Sequence, residues 1–214
     1  MISLDIGLST LAVFIPASIA LIVAPGPDSL YVLTQSISGS QRIGLLAAGG
    51  TSTGILVHTT AAVFGLSAIL RTSAVAYTVV KYAGALYLLY LGIQTIRHKE
   101  DFDLQTDDTD TNSKESYQGG VMTNTLNPKV AIFFLAFLPQ FIPANSDAWL
   151  DMMLLGTLYA ALTLFYLGTL AIISSRIKTV LTTHPRVTDV IRWAAGSVIV
   201  GFGIELAVSN RTSG

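Results

Sequence analysis

The chain has 214 residues, of which 51% are hydrophobic and 12% charged, and its formal net charge is −1. Soluble domains carry about 25% charged residues, so too few charges remain here to cover a water-facing surface, and lipid is the expected solvent. The small net charge excludes a basic surface for nucleic acid, and the absence of cysteine excludes disulfides and thiolate metal sites.

Six apolar segments approach or exceed the roughly 20 residues that a helix needs to cross a bilayer. We therefore predict an all-α integral membrane protein, a six-transmembrane-helix bundle forming one domain over residues 1–214. The apolar run at the N-terminus has no Lys or Arg before it, so a retained helix is expected and not a cleaved signal. The predicted helices are Leu8–Ala24 with the amphiphilic piece Ser29–Ile37, Ile43–Leu70, Ala74–Ile96, Gly119–Ile142, Met152–Ile173 and Val190–Val208.

The first predicted helix is broken at Pro25, Gly26, Pro27 and Asp28. Each proline removes a backbone donor, and backbone groups freed within lipid must be satisfied by protein or water. A double-proline break therefore favours a position against the protein interior or a wet cavity. The alternative is a turn at the membrane interface, with Asp28 capping the helical piece that follows.

Two ionisable side chains lie within the second and third predicted helices. His58 follows Gly50 and Gly54 at four-residue spacing, hence on one helix face, where it serves as a hydrogen-bonding partner between helices or as a proton carrier. Lys81 either extends its ammonium to the outer interface or packs closely beside Gly84.

Residues 97–118 differ from the rest of the chain because they are polar and acidic. Seven of the 13 acidic residues lie between Glu100 and Glu115, and such a segment predicts a mobile loop. The loop separates three predicted helices in residues 1–96 from three in residues 119–210. Because three is odd, the halves enter the membrane from opposite sides, which is the 3+3 arrangement of inverted-repeat transporters.

The fourth predicted helix is interrupted at Asn127, Pro128 and Lys129. If it begins at Gly119, Lys129 lies about 15 Å into the membrane, where an ionisable side chain indicates function. The alternative is that this helix begins at Pro128, a common first residue of helices. In the orientation that the basic residues of the loops predict, both breaks fall in the cytoplasmic half of the membrane, so they are positioned to meet.

The distribution of Lys and Arg between loops predicts the orientation. The first, third and fifth loops should be cytoplasmic and both termini extracytoplasmic, in a multi-pass plasma-membrane protein. Eight basic residues lie on the predicted inner side and two on the outer side: Arg42, Arg97, Lys99, Lys114, Arg176, Lys178, Arg186 and Arg192 against Arg71 and Arg211.

The chain contains no catalytic signature of the kinds that sequence reveals. There is no nucleophile elbow, zinc-binding helix or phosphate loop, and the histidines at positions 58, 98 and 184 lack metal-ligand spacing. We therefore expect no enzyme activity, no cofactor and no bound metal.

Several segments, in order, resemble the LysE/RhtB family of amino-acid exporters. The resemblance implies a small membrane exporter of amino acids or related compounds, driven by an ion gradient. By this match Asp28 and Asn127 are the polar residues of the two break motifs, and Lys129 completes the second. The chain departs from many relatives, which have Asn at position 28 and an acidic residue at position 55, here Ile55. The matching segments are APGPDSLYVLTQSISGSQRIGLLAAGG, GILVHTTAAVFGLSAIL, KYAGALYLLYLGIQTIR, TLNPKVAIFFLAFLPQF and RWAAGSVIVGFGIELA.

The expected function is proton-coupled export of amino acids or their derivatives from the cytoplasm. The expected partners are the amino acid and membrane lipid, not nucleic acid, and the oligomeric state stays open, a homo-oligomer included. Alternatives are export of a metal ion or nucleoside, disfavoured for metals because only Asp28 and Glu205 are acidic within the predicted spans, and a non-transporting membrane scaffold. The predicted pathway residues are Pro25, Gly26, Pro27, Asp28, Asn127, Pro128, Lys129, His58 and Lys81.

Overall fold

The computed structural model describes residues 6–66, 74–97, 112–142, 148–175 and 185–208, and every element in these ranges is helical. We number the α-helices in chain order. A π-helical turn, Ala62–Leu66, extends α3, and α6 continues through a π-helical turn, Phe133–Phe137, and a 3-10 turn, Leu138–Phe141. The α-helices are α1 (Leu8–Val23), α2 (Pro27–Ser38), α3 (Gln41–Ala61), α4 (Ala74–Arg97), α5 (Ser113–Thr125), α6 (Pro128–Ile132), α7 (Ala148–Ile172) and α8 (Pro185–Val208).

The apolar helices fit a membrane bundle, although length and composition alone identify fewer spans than the six predicted. Within the described residues, Trp149–Ile172 is long and apolar enough to cross a membrane by itself. Two bent pairs qualify if each is one broken span: α1 with α2, bent by 55°, and α5 with Pro128–Phe141, bent by 48°. The segment Trp193–Val208 is apolar but shorter. By length and composition, the described residues thus include one helix that could span a membrane, or up to three if each bent pair is one span.

The predicted acidic loop is shorter at its C-terminal end than the sequence indicated. Most of it, residues 98–111, lies outside the described residues, but α5 begins at Ser113 and not at Gly119. The Asn112 side chain accepts a hydrogen bond from the backbone N–H of Lys114 at 3.2 Å, and Glu115 lies in the first turn. A capping residue followed by an acidic residue stabilises the start of a helix. The prediction relied on composition instead, and it therefore placed this boundary too late in the chain.

Glycines allow the helices to approach one another closely, as the α3–α5 and α4–α8 crossings show. A Cβ atom at Gly50 would overlap the carbonyl group of Tyr117 on α5, so α3 and α5 cross in backbone contact. Gly92 on α4 and Gly196 on α8 face each other, and a Cβ on either would lie 2.8 Å from the other's carbonyl oxygen. Small residues at such crossings are how helices associate within membranes.

The α4–α8 crossing gives a stability prediction. Gly196→Val should lower the free energy of unfolding by about 1–3 kcal/mol, because the new side chain must push Gly92 and Ile96 away. Gly201→Val on the same helix is the matched control, since no atom beyond the adjoining backbone of α8 lies within 4 Å of a Cβ there. Thermal unfolding of the purified variants in detergent checks both, and equal melting temperatures would contradict the crossing.

An aromatic cluster fixes the region beyond the second break against α1 and α7. The ring of Phe133 lies 4.7 Å from that of Tyr159 and 6.1 Å from that of Phe14, measured between centroids. Phe134 meets Tyr159 edge to face at 5.6 Å. Such pairs contribute about 0.5–1.5 kcal/mol beyond their burial, so they help to hold the start of this bent segment against α1 and α7.

Candidate functional site

The two helix breaks share one local design. In each, a cap residue precedes a proline at the first helical position and a charged residue at the second: Gly26, Pro27 and Asp28 at the start of α2, then Asn127, Pro128 and Lys129 at the start of α6. Proline is well suited to a first helical position because its missing N–H has no partner there in any case. Asp28 and Lys129 therefore hold equivalent positions in two bent segments.

Lys129 completes the end of α1. In an unbroken helix the carbonyl of Leu21 would accept from the N–H of residue 25, but Pro25 has none. The Lys129 Nζ donates to this Leu21 oxygen at 3.2 Å and to the Ala24 oxygen at 3.0 Å. A positive charge at the negative end of the α1 dipole is also favourable. The second break thus supplies the donor that the first break removes.

Asp28 lies in the first turn of α2 and joins the same site. Its Oδ2 accepts from Asn124 Nδ2 at 3.0 Å and from Asn127 Nδ2 at 2.9 Å, and all three side chains are buried. The Asn127 Oδ1 accepts from the backbone N–H of Lys129 at 3.0 Å, so Asn127 both caps α6 and holds Asp28. Among the described residues none donates to Asp28 Oδ1, which leaves one carboxylate oxygen available to a ligand or water.

Asp28 and Lys129 face a common cavity of about 10 Å³. That volume is close to the minimum for one water molecule, so the site is closed to anything larger in this conformation. Gly26 makes room for the Lys129 ammonium, since a Cβ there would lie 3.0 Å from the Lys129 Nζ. The cavity is lined by Ile22, Asp28, Ile55, Lys129, Val130, Tyr159, Thr163 and Leu167.

The other two predicted pathway residues lie differently. His58 Nε2 is 3.0 Å from the Asn124 backbone oxygen, and its ring stacks on Phe134 at 6.1 Å, so it joins helices one residue away from Asp28. Lys81 does not line the cavity of Asp28 and Lys129. It is buried, with its Nζ 5.4 Å from the centre of the Tyr82 ring, which favours close packing over extension to the interface.

Four buried residues with polar side-chain groups were not predicted from the sequence as candidates for the site. Asn124 precedes Asn127 by three positions, a spacing that places both on one side of a helix turn and could have signalled their shared partner. Tyr159 and Thr163 are one turn apart on α7, and nothing in their spacing distinguishes them from ordinary packing residues. Asp151 lies in the first turn of α7 and is 1% exposed. The predicted helix begins at Met152, one residue later, so the sequence-based count of acidic residues within spans is too low by Asp151.

Comparison with known proteins bears directly on this arrangement. The family model described as LysE type translocator matches residues 19–210. The chain belongs to the LysE type translocator family. This match confirms the family resemblance predicted from the sequence, and the matched region contains both breaks.

Two relatives of the chain are described as uncharacterized membrane proteins. An uncharacterized membrane protein, YrhP, from Bacillus subtilis (strain 168) is 28% identical over 211 residues, 94% of this chain and 99% of its own length. An uncharacterized membrane protein from Vibrio cholerae serotype O1 is 28% identical over 191 residues, 87% of this chain and 91% of its own length. No solved structure matches the chain.

Membership of the LysE type translocator family establishes the broad function. It implies membrane transport of a small solute, and its members are transporters rather than enzymes. A membrane location fits the relatives and the apolar helices alike. The solute and the driving ion do not follow from the family or from the relatives' names.

Proposed function

We propose that the chain exports amino acids or amino-acid derivatives from the cytoplasm, coupled to the proton gradient, through the site between the two helix breaks. The observation that carries this proposal is the pairing of Asp28 and Lys129 around one buried cavity. Charged groups within a membrane protein are costly, and they are retained mainly where a solute or ion must pass.

The two charges match the two ends of an amino acid. The ammonium of a zwitterion would bind the Asp28 carboxylate, whose Oδ1 has no donor among the described residues. The carboxylate of the zwitterion would bind the Lys129 ammonium, which in the closed site donates to the Leu21 and Ala24 carbonyls. Charge-assisted hydrogen bonds at both ends would orient the solute and offset the loss of its water.

The membrane arrangement proposed is six spans in two inverted halves of three, in the plasma membrane with both termini outside. The two similar breaks support this arrangement, because each interrupts the bent helix pair that would be the first span of its half. The packing of α4 on α8 supports it too, since these would be the third helices of the two halves. In such folds substrate sites lie where broken helices of the two repeats meet.

The transport cycle proposed is a rocking of one half against the other. A cavity of about 10 Å³ cannot hold an amino acid, so the halves must separate for loading and release. Asp28 is the proposed proton carrier, because it is buried, central and has an available oxygen. His58, one residue removed through Asn124, is the second candidate.

Flux measurements test the proposal. Inverted membrane vesicles that contain the protein and are acidified inside should accumulate one or more labelled amino acids as protons leave. The Asn127→Ala variant loses a hydrogen bond to a buried charge and should transport roughly 10- to 150-fold more slowly, from about 1.5–3 kcal/mol. A scaffold without transport activity would give no flux in either case, and that result would refute the proposal.

A further inference from the structure

We propose that the substrate is an amino acid with a neutral aliphatic or hydroxylated side chain, and not a basic or acidic one. This refinement rests on the proposed function and concerns the same site. It follows from the composition of the cavity wall.

The cavity wall holds one negative and one positive residue. Asp28 and Lys129 are the charged side chains among its lining residues, and the amino and carboxylate groups of any amino acid would engage both. No lining charge then remains for a third charged group on the substrate. A charge buried without a partner is strongly unfavourable, so a lysine, arginine or glutamate side chain would be excluded.

Most of the other residues that line the cavity are aliphatic, and they belong to several different helices. Ile22 belongs to α1, Ile55 to α3, Val130 to α6 and Leu167 to α7, so four different helices contribute. All four side chains are buried, and Ile55 is completely enclosed. A wall of this kind gains free energy with each methylene of the substrate that it takes from water.

Two hydroxyl-bearing residues complete the wall. The Thr163 hydroxyl donates to the Tyr159 backbone oxygen at 2.9 Å, so its oxygen can still accept from a substrate hydroxyl. Threonine-like substrates therefore belong to the accepted class.

A substrate panel on the wild-type protein is the primary test. In proteoliposomes loaded with unlabelled valine, uptake of labelled valine by exchange should be inhibited by leucine and threonine at concentrations at least about 100-fold lower than by lysine, arginine or glutamate. Inhibition by lysine or glutamate as strong as by leucine would overturn the inference. Exchange with lysine but not with valine would also overturn it while leaving amino-acid export intact. Exchange with no amino acid would instead refute the proposed function.

Ile55 offers a matched pair of variants. Ile55→Asp adds a third charge to the wall and should shift the preference toward lysine by at least about tenfold, since its side-chain ammonium gains a partner. Ile55→Asn has the same shape without the charge and should not favour lysine. An equal change in both variants would contradict the charge argument, and the wild-type panel decides the question whether or not these variants fold.

Discussion

Lys129→Met is expected to lower the free energy of unfolding by about 3–5 kcal/mol and to abolish transport. Methionine keeps the length of the side chain but removes its ammonium. The Leu21 and Ala24 carbonyls would lose their donor, and Asp28 would lose the nearby positive charge. Denaturant or thermal unfolding of the purified protein in detergent measures the loss.

A double variant separates the charge from the backbone contribution. Asp28→Asn combined with Lys129→Met leaves no uncompensated charge, so it should recover part of the lost stability while transport stays absent. If the double variant is as unstable as Lys129→Met alone, the two charges do not stabilise each other. If Lys129→Met transports at the wild-type rate, the ammonium has no role at the site.

Asp28→Asn alone is expected to remove proton-driven accumulation of substrate. An asparagine oxygen can still accept from Asn124 and Asn127, so the network around position 28 is retained while its charge and titratable proton are lost. Parallel recording of solute and proton movement in proteoliposomes measures the effect.

Glu205→Gln provides the control for this change. It removes an acid from α8 at an exposed position, so both fluxes should stay at wild-type levels. An Asp28→Asn variant that still exchanges solute against protons like the wild type would show that Asp28 is not the carrier. His58 would then be the next residue to replace.

The closed site suggests how binding could open it. Lys129 closes the end of α1 by donating to two carbonyls, yet these are neutral acceptors. A substrate carboxylate is a stronger acceptor for an ammonium, so it would compete for Lys129 and weaken the link between α1 and α6. The residue that recognises the solute thus also holds the two bent segments together.

The sequence was informative about the breaks because their cause is local. The prolines at positions 25, 27 and 128 each remove a backbone donor at a known place in the chain, and a lysine within an apolar run needs a partner. The prediction that the breaks could meet required only the direction of each helix, and the contacts of Lys129 with α1 agree with it.

Other parts of the site could not be predicted from local pattern. Asn124 donates a hydrogen bond to Asp28, from which it is separated by 96 positions in the sequence. Tyr159 faces the cavity because α7 packs beside both breaks. Periodicity gives the face that such a residue occupies but not the helix that faces it. The start of α5 was misplaced because composition outweighed the capping role of Asn112.

Substrate protection of the cavity tests the central claim most directly. The chain has no cysteine, so the Thr163→Cys variant carries a single thiol at the cavity wall. The transported amino acid should slow its alkylation at concentrations near those that saturate flux, whereas alkylation of Lys114→Cys, at an exposed position of α5, should not change. A Thr163→Cys variant that transports normally but reacts at the same rate with and without substrate would place the substrate somewhere other than between the two breaks.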